Sequence, residues 1–193
     1  MPRPPRPLYK GALYHVYNRG VDKRPIFIDE QDREIFLRML RKIIEGSSLD
    51  LYAYCLMDNH FHLFLKTRLA NLHKCMQKLQ APYAQYINFK YARNGALFEG
   101  RYHSRLVQTD SYVLALVRYI HQNPLESRTV QALENYRWSS YGRYMDIDPK
   151  NHWINTNWIL QQFHGNPATA KRLFKNFHQM RAETSEFLGA RGV

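Results

Sequence analysis

The chain has 193 residues, and its 28 Lys and Arg against 16 Asp and Glu give a formal net charge of +12 at pH 7. This length suits one buried core. The charge attracts polyanions, which makes nucleic acid the first partner to consider, although a merely basic surface gives the same charge. Cys55 and Cys75 are too few for a disulfide framework or a cysteine-based zinc site. Two cysteines are typical of a reducing compartment, so we expect a cytoplasmic protein.

The first ten residues are basic and rich in proline, and they lack the apolar region of a signal peptide. Four prolines among the first seven residues exclude a helix there, so residues 1–10 are expected to form an extended basic arm. No apolar run along the chain approaches the ~18 residues that a membrane span needs. We therefore expect neither a secretion signal nor a membrane span.

The order of the elements that follow indicates the fold class. The sequence predicts strand, helix, strand, strand, helix, strand and helix, over residues 13–17, 29–45, 49–57, 61–66, 72–93, 97–107 and 110–123. Asp29 and Asp110 are expected to cap the first and third helices. This order is typical of an α+β fold with helices on one face of a mainly antiparallel sheet. The main domain is expected over residues 11–145, followed by a helical C-terminal extension over residues 146–193.

A histidine pair is the sharpest local signal. His60 and His62 stand two positions apart in a predicted strand, so their side chains project from one face, roughly 6.5 to 7 Å apart. Phe61, Leu63 and Leu65 take the opposite face and would anchor the strand in the core. The two imidazoles can converge on one metal ion, or they can be two polar residues on a partly exposed strand.

A second signal lies near the end of the third predicted helix. Tyr119 and Asn123 are four positions apart, so they share one helix face. A hydroxyl nucleophile and a neutral oxygen ligand can then address the same site, which suits metal-assisted phosphoryl transfer. The alternative is a half-buried aromatic residue and a polar residue at a helix end. His121 should point away from this face.

Candidate DNA contacts lie near these motifs. Three arginines could bind phosphate groups, and two residues after the first strand could recognise a DNA hairpin. A solvated surface is the alternative for each of them. The five candidates are Asn18, Arg19, Arg101, Arg105 and Arg118.

Four motifs together resemble those of the single-tyrosine HUH transposases, in order and in spacing. They are the early strand Tyr14-His-Val-Tyr-Asn-Arg-Gly20, then Met57-Asp-Asn-His-Phe-His62, Gly100-Arg-Tyr102 and Tyr119-Ile-His-Gln-Asn-Pro124. The match covers roughly residues 10–145. More narrowly, the chain is similar to the REP-associated tyrosine transposases, relatives thought to act on repetitive extragenic palindromes.

This resemblance implies a ferredoxin-like sheet and assigns the site. His60 and His62 would be the histidine pair of the HUH motif, Tyr119 the nucleophile and Asn123 the third metal ligand, with Mg²⁺ or Mn²⁺ as the ion. Such proteins cut single-stranded DNA beside a hairpin, form a 5′-phosphotyrosine link and rejoin strands by reversing the step. The predicted partner is therefore single-stranded DNA with a REP-like hairpin, bound by either a monomer or a homodimer.

Several alternatives stay open from the sequence. Tyr83, Tyr86, Tyr91 and Tyr112 compete for the nucleophile role, although Tyr83 fits the apolar stripe of the second helix. A non-catalytic DNA- or RNA-binding module on the same fold would explain the charge and the aromatic residues. A structural metalloprotein using the histidine pair has no obvious fourth ligand.

Overall fold

The computed structural model describes residues 9–46, 49–148 and 152–180. It has four strands, β1 (Leu13–Arg19), β2 (Leu49–Met57), β3 (His60–Thr67) and β4 (His103–Val107). The α-helices of this part are α1 (Glu30–Gly46), α2 (Leu72–Lys90), α3 (Asp110–Glu126), α4 (Tyr141–Tyr144), α5 (Asn157–Leu160) and α6 (Pro167–Gln179). Short 3₁₀ turns occur at Val21–Lys23 and Leu133–Asn135. Within the described residues, no helix is long and apolar enough to cross a membrane.

The strands form one antiparallel sheet in the order β2-β3-β1-β4. With the helices between them, this is the ferredoxin-like arrangement, so the predicted α+β class and antiparallel sheet are confirmed. The central pair is β1 and β3, in a register that places Tyr17 opposite His62 and Arg19 opposite His60. The pairing of β1 with β3, which are far apart in the sequence, therefore determines which β1 residues lie beside these histidines.

The two faces of the sheet carry different helices. On one face, Phe61 of β3 packs against Phe36 of α1, with ring centroids 5.1 Å apart. On the other face, His62 packs against Tyr119 of α3, with centroids 5.5 Å apart. The predicted split of β3 into a core side and a polar side is thus observed. α1 and α2 share the first face, whereas α3 packs on the second, so the prediction that the helices lie on one face of the sheet is wrong for α3. The linear order of elements does not specify the face on which a helix packs.

The C-terminal part of the described chain covers the outer edge of β2. Ser139 and Ile154 form isolated bridges to Cys55 and Leu51 respectively. Between these two bridges, the Tyr144 hydroxyl donates to the carbonyl oxygen of Tyr52 at 2.8 Å. An uncovered edge strand exposes unpaired N–H and C=O groups, and these contacts satisfy part of that row. Ile154 shows that the region predicted as an extension also packs directly on the sheet.

A buried carboxylate fixes the start of α1. Asp29 caps the helix as predicted, because its side chain accepts from the Asp32 amide at 2.9 Å, and Asp32 accepts in return from the Asp29 amide at 3.1 Å. Asp32 is fully buried and also accepts from the Tyr91 hydroxyl at 2.8 Å and from Lys90 Nζ at 2.8 Å. Burial alone would raise the pKa of Asp32, but the hydrogen bond from Lys90 and those from its other neighbours lower it. The network ties α1 to α2.

Some helix and strand boundaries differ from the sequence predictions. Thr109, not Asp110, is the N-cap of α3, since its hydroxyl accepts from the Tyr112 amide at 3.4 Å. α3 also continues through Pro124, which lacks one N–H donor, because its end is held by hydrogen bonds from Ser127 N to Asn123 O at 3.0 Å and from Thr129 N to Pro124 O at 2.9 Å.

The segment over residues 97–107 contains only β4 and a single bridge at Phe98. In the C-terminal extension, which was predicted to be helical, the described residues form two separate helices, α5 and α6. Residues 1–8 of the predicted arm lie outside the described residues. The same holds for residues 149–151 and 181–193 of the predicted extension. The predicted domain boundaries stay a prediction.

Candidate active site

The candidate active site lies on the sheet face that α3 covers. His60 and His62 project from this face of β3, with ring centroids 5.1 Å apart. Tyr119 packs against His62, and Asn123, one turn further along α3, places its Oδ1 3.5 Å from His60 Nε2. The two motifs that the sequence singled out, 59 residues apart, therefore form one cluster.

The neighbours of His60 determine which of its nitrogens carries the proton. Asn59 donates through Nδ2 to the carbonyl oxygen of Lys23 at 3.1 Å, and its Oδ1 lies 2.7 Å from His60 Nδ1. An amide oxygen only accepts, so Nδ1 carries the proton and Nε2 keeps a lone pair. Asn123 likewise donates through Nδ2 to the carbonyl oxygen of Tyr119 at 2.8 Å, which turns its Oδ1 to His60. Two acceptors thus face each other, and a cation between them would satisfy both.

His62 has one paired and one unpaired nitrogen. Its Nδ1 lies 2.9 Å from Nε2 of His15, and its Nε2 is buried without a hydrogen-bond partner among the described residues. Burial, with smaller effects of His15 and His60, lowers the pKa of His62 well below its usual value. Burial also lowers the pKa of His60 to about 4. Both imidazoles are therefore neutral at pH 7, which is the form that binds metal ions.

These donors fit a divalent metal ion. Within the described parts of the chain, no group of three or more His, Cys, Asp or Glu side chains has the geometry of a metal site. A site here therefore depends on Asn123 as the third donor beside His60 and His62. Imidazole nitrogen binds several divalent ions and amide oxygen suits hard ones. Three protein donors also leave coordination positions open for a substrate.

Tyr119 is largely enclosed, with 5% of its surface exposed. Burial raises the pKa of its hydroxyl to about 12, and the charges of Glu126 and Tyr17 add to the increase. Asn123 and the positive charge of Arg105 act in the opposite direction. Without further positive charge, the phenol is protonated at pH 7 and is a poor nucleophile. A cation beside it would favour the phenolate.

The other tyrosines named from the sequence have different surroundings. Tyr83 is buried on the opposite sheet face and donates to the carbonyl oxygen of Ile26 at 2.7 Å. Tyr86 and Tyr91 donate to Asp32 at 3.0 and 2.8 Å. These three hydroxyls have partners away from the histidine pair, whereas the ring of Tyr119 packs against His62.

Tyr17 is a nearer competitor, and the sequence reasoning missed it. Its ring centroid lies 5.8 Å from that of His62 and 5.0 Å from that of His103, on which it stacks. His15 and Asn59, which contact the two histidines of the pair, were not predicted from the sequence either. Alternation along β1 places His15 and Tyr17 on one face, but only the register with β3 shows that this face carries the histidines.

The predicted DNA-binding residues are distributed over different surroundings. Arg105 is opposite His15 in the sheet and close enough to Tyr119 to influence its pKa. Arg19 is opposite His60 and forms an ion pair with Glu99. These two arginines therefore lie near the candidate active site.

The remaining three candidates are arranged differently. Arg101 is exposed in the loop before β4. Arg118 lies over the ring of Phe177 in α6, 4.2 Å from its centroid. Asn18 is 2% exposed on the α1 and α2 face, where it donates to the carbonyl oxygen of Gly100 at 3.0 Å and to Gln80 at 3.1 Å. Its amide is thus occupied in positioning that loop.

His121 points away from the site, as the helix spacing predicts. Its Nδ1 lies 3.0 Å from Nε2 of His178 in α6, and its Nε2 lies 2.7 Å from Oγ of Ser140. His178 donates through Nδ1 to the carbonyl oxygen of Phe174 at 2.9 Å. The directions of the other two bonds follow: His121 donates to His178 and accepts from Ser140. This buried chain attaches α6 to the side of α3 opposite Tyr119.

Similarity to one solved structure agrees with this architecture. A structure described as a REP-associated tyrosine transposase bound to a REP hairpin matches with a TM-score of 0.67 at 12% sequence identity, covering 82% of this chain and 91% of that one. A candidate transposase from Deinococcus radiodurans R1 matches with a TM-score of 0.43 at 18% identity, over 62% and 96% of the two chains. A comparison with curated proteins finds no match. The first similarity shows a shared fold.

The family model of IS200-like transposases matches residues 9–123, more than half of the chain. The matched region contains β1 to β4 and α3 as far as Asn123, and so all four residues of the candidate site. The protein therefore belongs to the IS200-like transposase family, and the resemblance to single-tyrosine transposases is confirmed at this level.

Proposed function

We propose that the protein is a metal-dependent single-stranded DNA endonuclease and strand transferase that works through a covalent 5′-phosphotyrosine on Tyr119. One observation carries the proposal: Tyr119 packs on His62, while Asn123 of the same helix face turns its amide oxygen to His60. This proximity of the proposed nucleophile to the proposed metal donors supports the proposal.

His60, His62 and Asn123 would hold the ion, and Mg²⁺ or Mn²⁺ is expected. When bound, such an ion supplies Lewis acidity at a non-bridging phosphate oxygen and favours the tyrosine phenolate. The protein's own contribution is positioning. α3 presents Tyr119 for in-line attack, and burial of the site reduces the access of competing water.

The chemical step exchanges one phosphodiester for another. The Tyr119 oxygen forms a bond to phosphorus, its proton passes to solvent, and the bond from phosphorus to the 3′-oxygen breaks. That oxygen takes up a proton and leaves as a free 3′-hydroxyl. Because the phosphate keeps a diester linkage, a second 3′-hydroxyl can reverse the step and join strands without nucleotide hydrolysis.

Positive charge near the site suits a DNA substrate. Arg19 of β1 lies opposite His60, Arg105 of β4 lies opposite His15 of β1, and Arg101 is exposed in the loop before β4. Arginine pairs well with phosphate oxygens. The solved transposase with this fold is bound to a REP hairpin, and we extend that kind of substrate, a REP-like hairpin with a single-stranded flank, to this chain.

A covalent-capture assay tests the proposal. The purified protein is incubated with labelled hairpin oligonucleotides from its genomic neighbourhood, with Mn²⁺ or with EDTA, and denatured adducts are resolved on a gel. We expect adducts only with metal, and expect Tyr119→Phe and His62→Ala to abolish them.

Tyr17→Phe is the matched control variant in this assay, because Tyr17 also lies beside His62. Adducts that survive in Tyr17→Phe and vanish in Tyr119→Phe assign the nucleophile, and the reverse pattern overturns the assignment. If the protein retains hairpins but forms no adduct with either metal, the non-catalytic DNA-binding module becomes the better account.

A further inference from the structure

His15 is a buried polar residue whose presence the core does not explain. It lies in the middle of β1, is 2% exposed, and has Tyr17 and Tyr119 as ring neighbours at 5.0 and 6.1 Å. Its Nδ1 is buried and has no hydrogen-bond partner among the described residues. A buried polar atom without a partner costs free energy, so a role for the imidazole should be sought in its other nitrogen.

That other nitrogen faces a candidate metal ligand. His15 Nε2 lies 2.9 Å from His62 Nδ1, with the two rings inclined by 27°. One proton must lie between two nitrogens at this distance. If His62 Nδ1 carries it, His62 Nε2 keeps a lone pair and can bind a metal ion. If His15 Nε2 carries it, His62 Nε2 carries a proton of its own and cannot bind one.

His60 and His62 therefore differ in how their protonation is determined. The partner of His60 is an amide oxygen of Asn59, which can only accept, so the metal-binding form of His60 is fixed. The partner of His62 is an imidazole, which can either donate or accept. The tautomer of His62 then decides whether its Nε2 can bind a metal ion.

We propose that His15 is a positioning residue that accepts the Nδ1 proton of His62 and so presents His62 Nε2 to the metal ion. This inference rests on the proposed metal site. A metal-binding histidine commonly donates its other N–H to an outer partner, and removing that partner weakens metal affinity by about 10- to 100-fold. His15 contacts the ion only through His62.

Metal affinity measured without DNA tests this role. Mn²⁺ binding is followed by electron paramagnetic resonance for the wild type, His15→Phe and His15→Gln. His15→Phe keeps a ring between the tyrosines but removes the acceptor, and we expect its affinity for Mn²⁺ to fall by about 10- to 100-fold. His15→Gln restores an oxygen acceptor near the same position and should recover most of that loss. Circular dichroism verifies that each variant is folded.

The outcomes separate the two proposals. If the wild type binds no Mn²⁺, the metal site and this inference both fail. If the wild type binds Mn²⁺ and folded His15→Phe binds it equally well, or His15→Gln is as weak as His15→Phe, only the role of His15 is overturned.

A spectroscopic measurement covers the case in which His15→Phe does not fold. Long-range ¹H–¹⁵N correlation spectra of the Mg²⁺-loaded wild type identify the protonated nitrogen of each imidazole. We expect the proton on His62 Nδ1 and a bare Nε2 on His15. A proton on His15 Nε2 would contradict the inference.

Discussion

Replacing Ser140 with alanine removes one hydroxyl that joins three parts of the fold. Ser140 is fully buried, and its Oγ accepts from the amide of Tyr54 in β2 at 2.9 Å. The same hydroxyl donates to His121 Nε2 of α3 at 2.7 Å, and His121 in turn donates to His178 of α6. Ser140→Ala therefore leaves one buried N–H and one buried imidazole nitrogen without a partner.

The expected loss follows from these two groups. A buried polar group left unsatisfied costs about 1–3 kcal/mol, so we expect the free energy of unfolding to fall by about 3 kcal/mol. In urea, where small proteins have slopes of about 2 kcal/mol per molar, the unfolding midpoint should move down by about 1.5 M with an unchanged slope. Fluorescence-monitored urea unfolding measures both quantities.

Ser139→Ala is the matched control. Ser139 is also buried, but in the described chain its hydroxyl accepts only from the amide of Tyr141, at 3.3 Å. We expect a smaller loss of about 1 kcal/mol for this variant, because only one hydrogen bond, and a long one, is removed. Equal midpoints for the two variants, or a Ser140→Ala midpoint within error of the wild type, would refute the reasoning about the buried chain.

Three further predictions concern the site, acid stability and the α1 network. Asn123→Ala should weaken Mn²⁺ binding at least about tenfold in titration calorimetry, and unchanged affinity would remove Asn123 from the ligand set. Burial lowers the pKa of His178 to about 3 from 6.5. The unfolded state then binds more protons, so unfolding free energy should fall as pH drops from 6.5 towards 3, by at most about 1.4 kcal/mol per pH unit for this group. His178→Gln should show a shallower dependence in urea titrations at each pH, and an identical slope would count against it. Asp32→Asn turns an NH₂ group towards N–H and O–H donors and should destabilise the fold by about 2–3 kcal/mol; an unchanged thermal midpoint would contradict this.

The local patterns of the sequence determined much of the architecture and the main candidates. Alternation in β3 separated His60 and His62 from the core side chains, because successive residues of a strand face opposite ways. The spacing of four placed Tyr119 and Asn123 on one helix face for an equally local reason. The four motifs together identified the transposase family, and the family model confirms it.

Tertiary structure alone decided which of these local faces meet. The register of β1 against β3 brings His15 and Tyr17 to His62, and a shift by one residue would have turned both away. The packing of α3 on the second sheet face unites the tyrosine with the histidine pair. Asn18 shows the converse, since a polar residue after a strand is predicted to be exposed but is buried once α2 and the Gly100 loop close over it. Such contacts join residues far apart in the chain, and local periodicity carries no information about them.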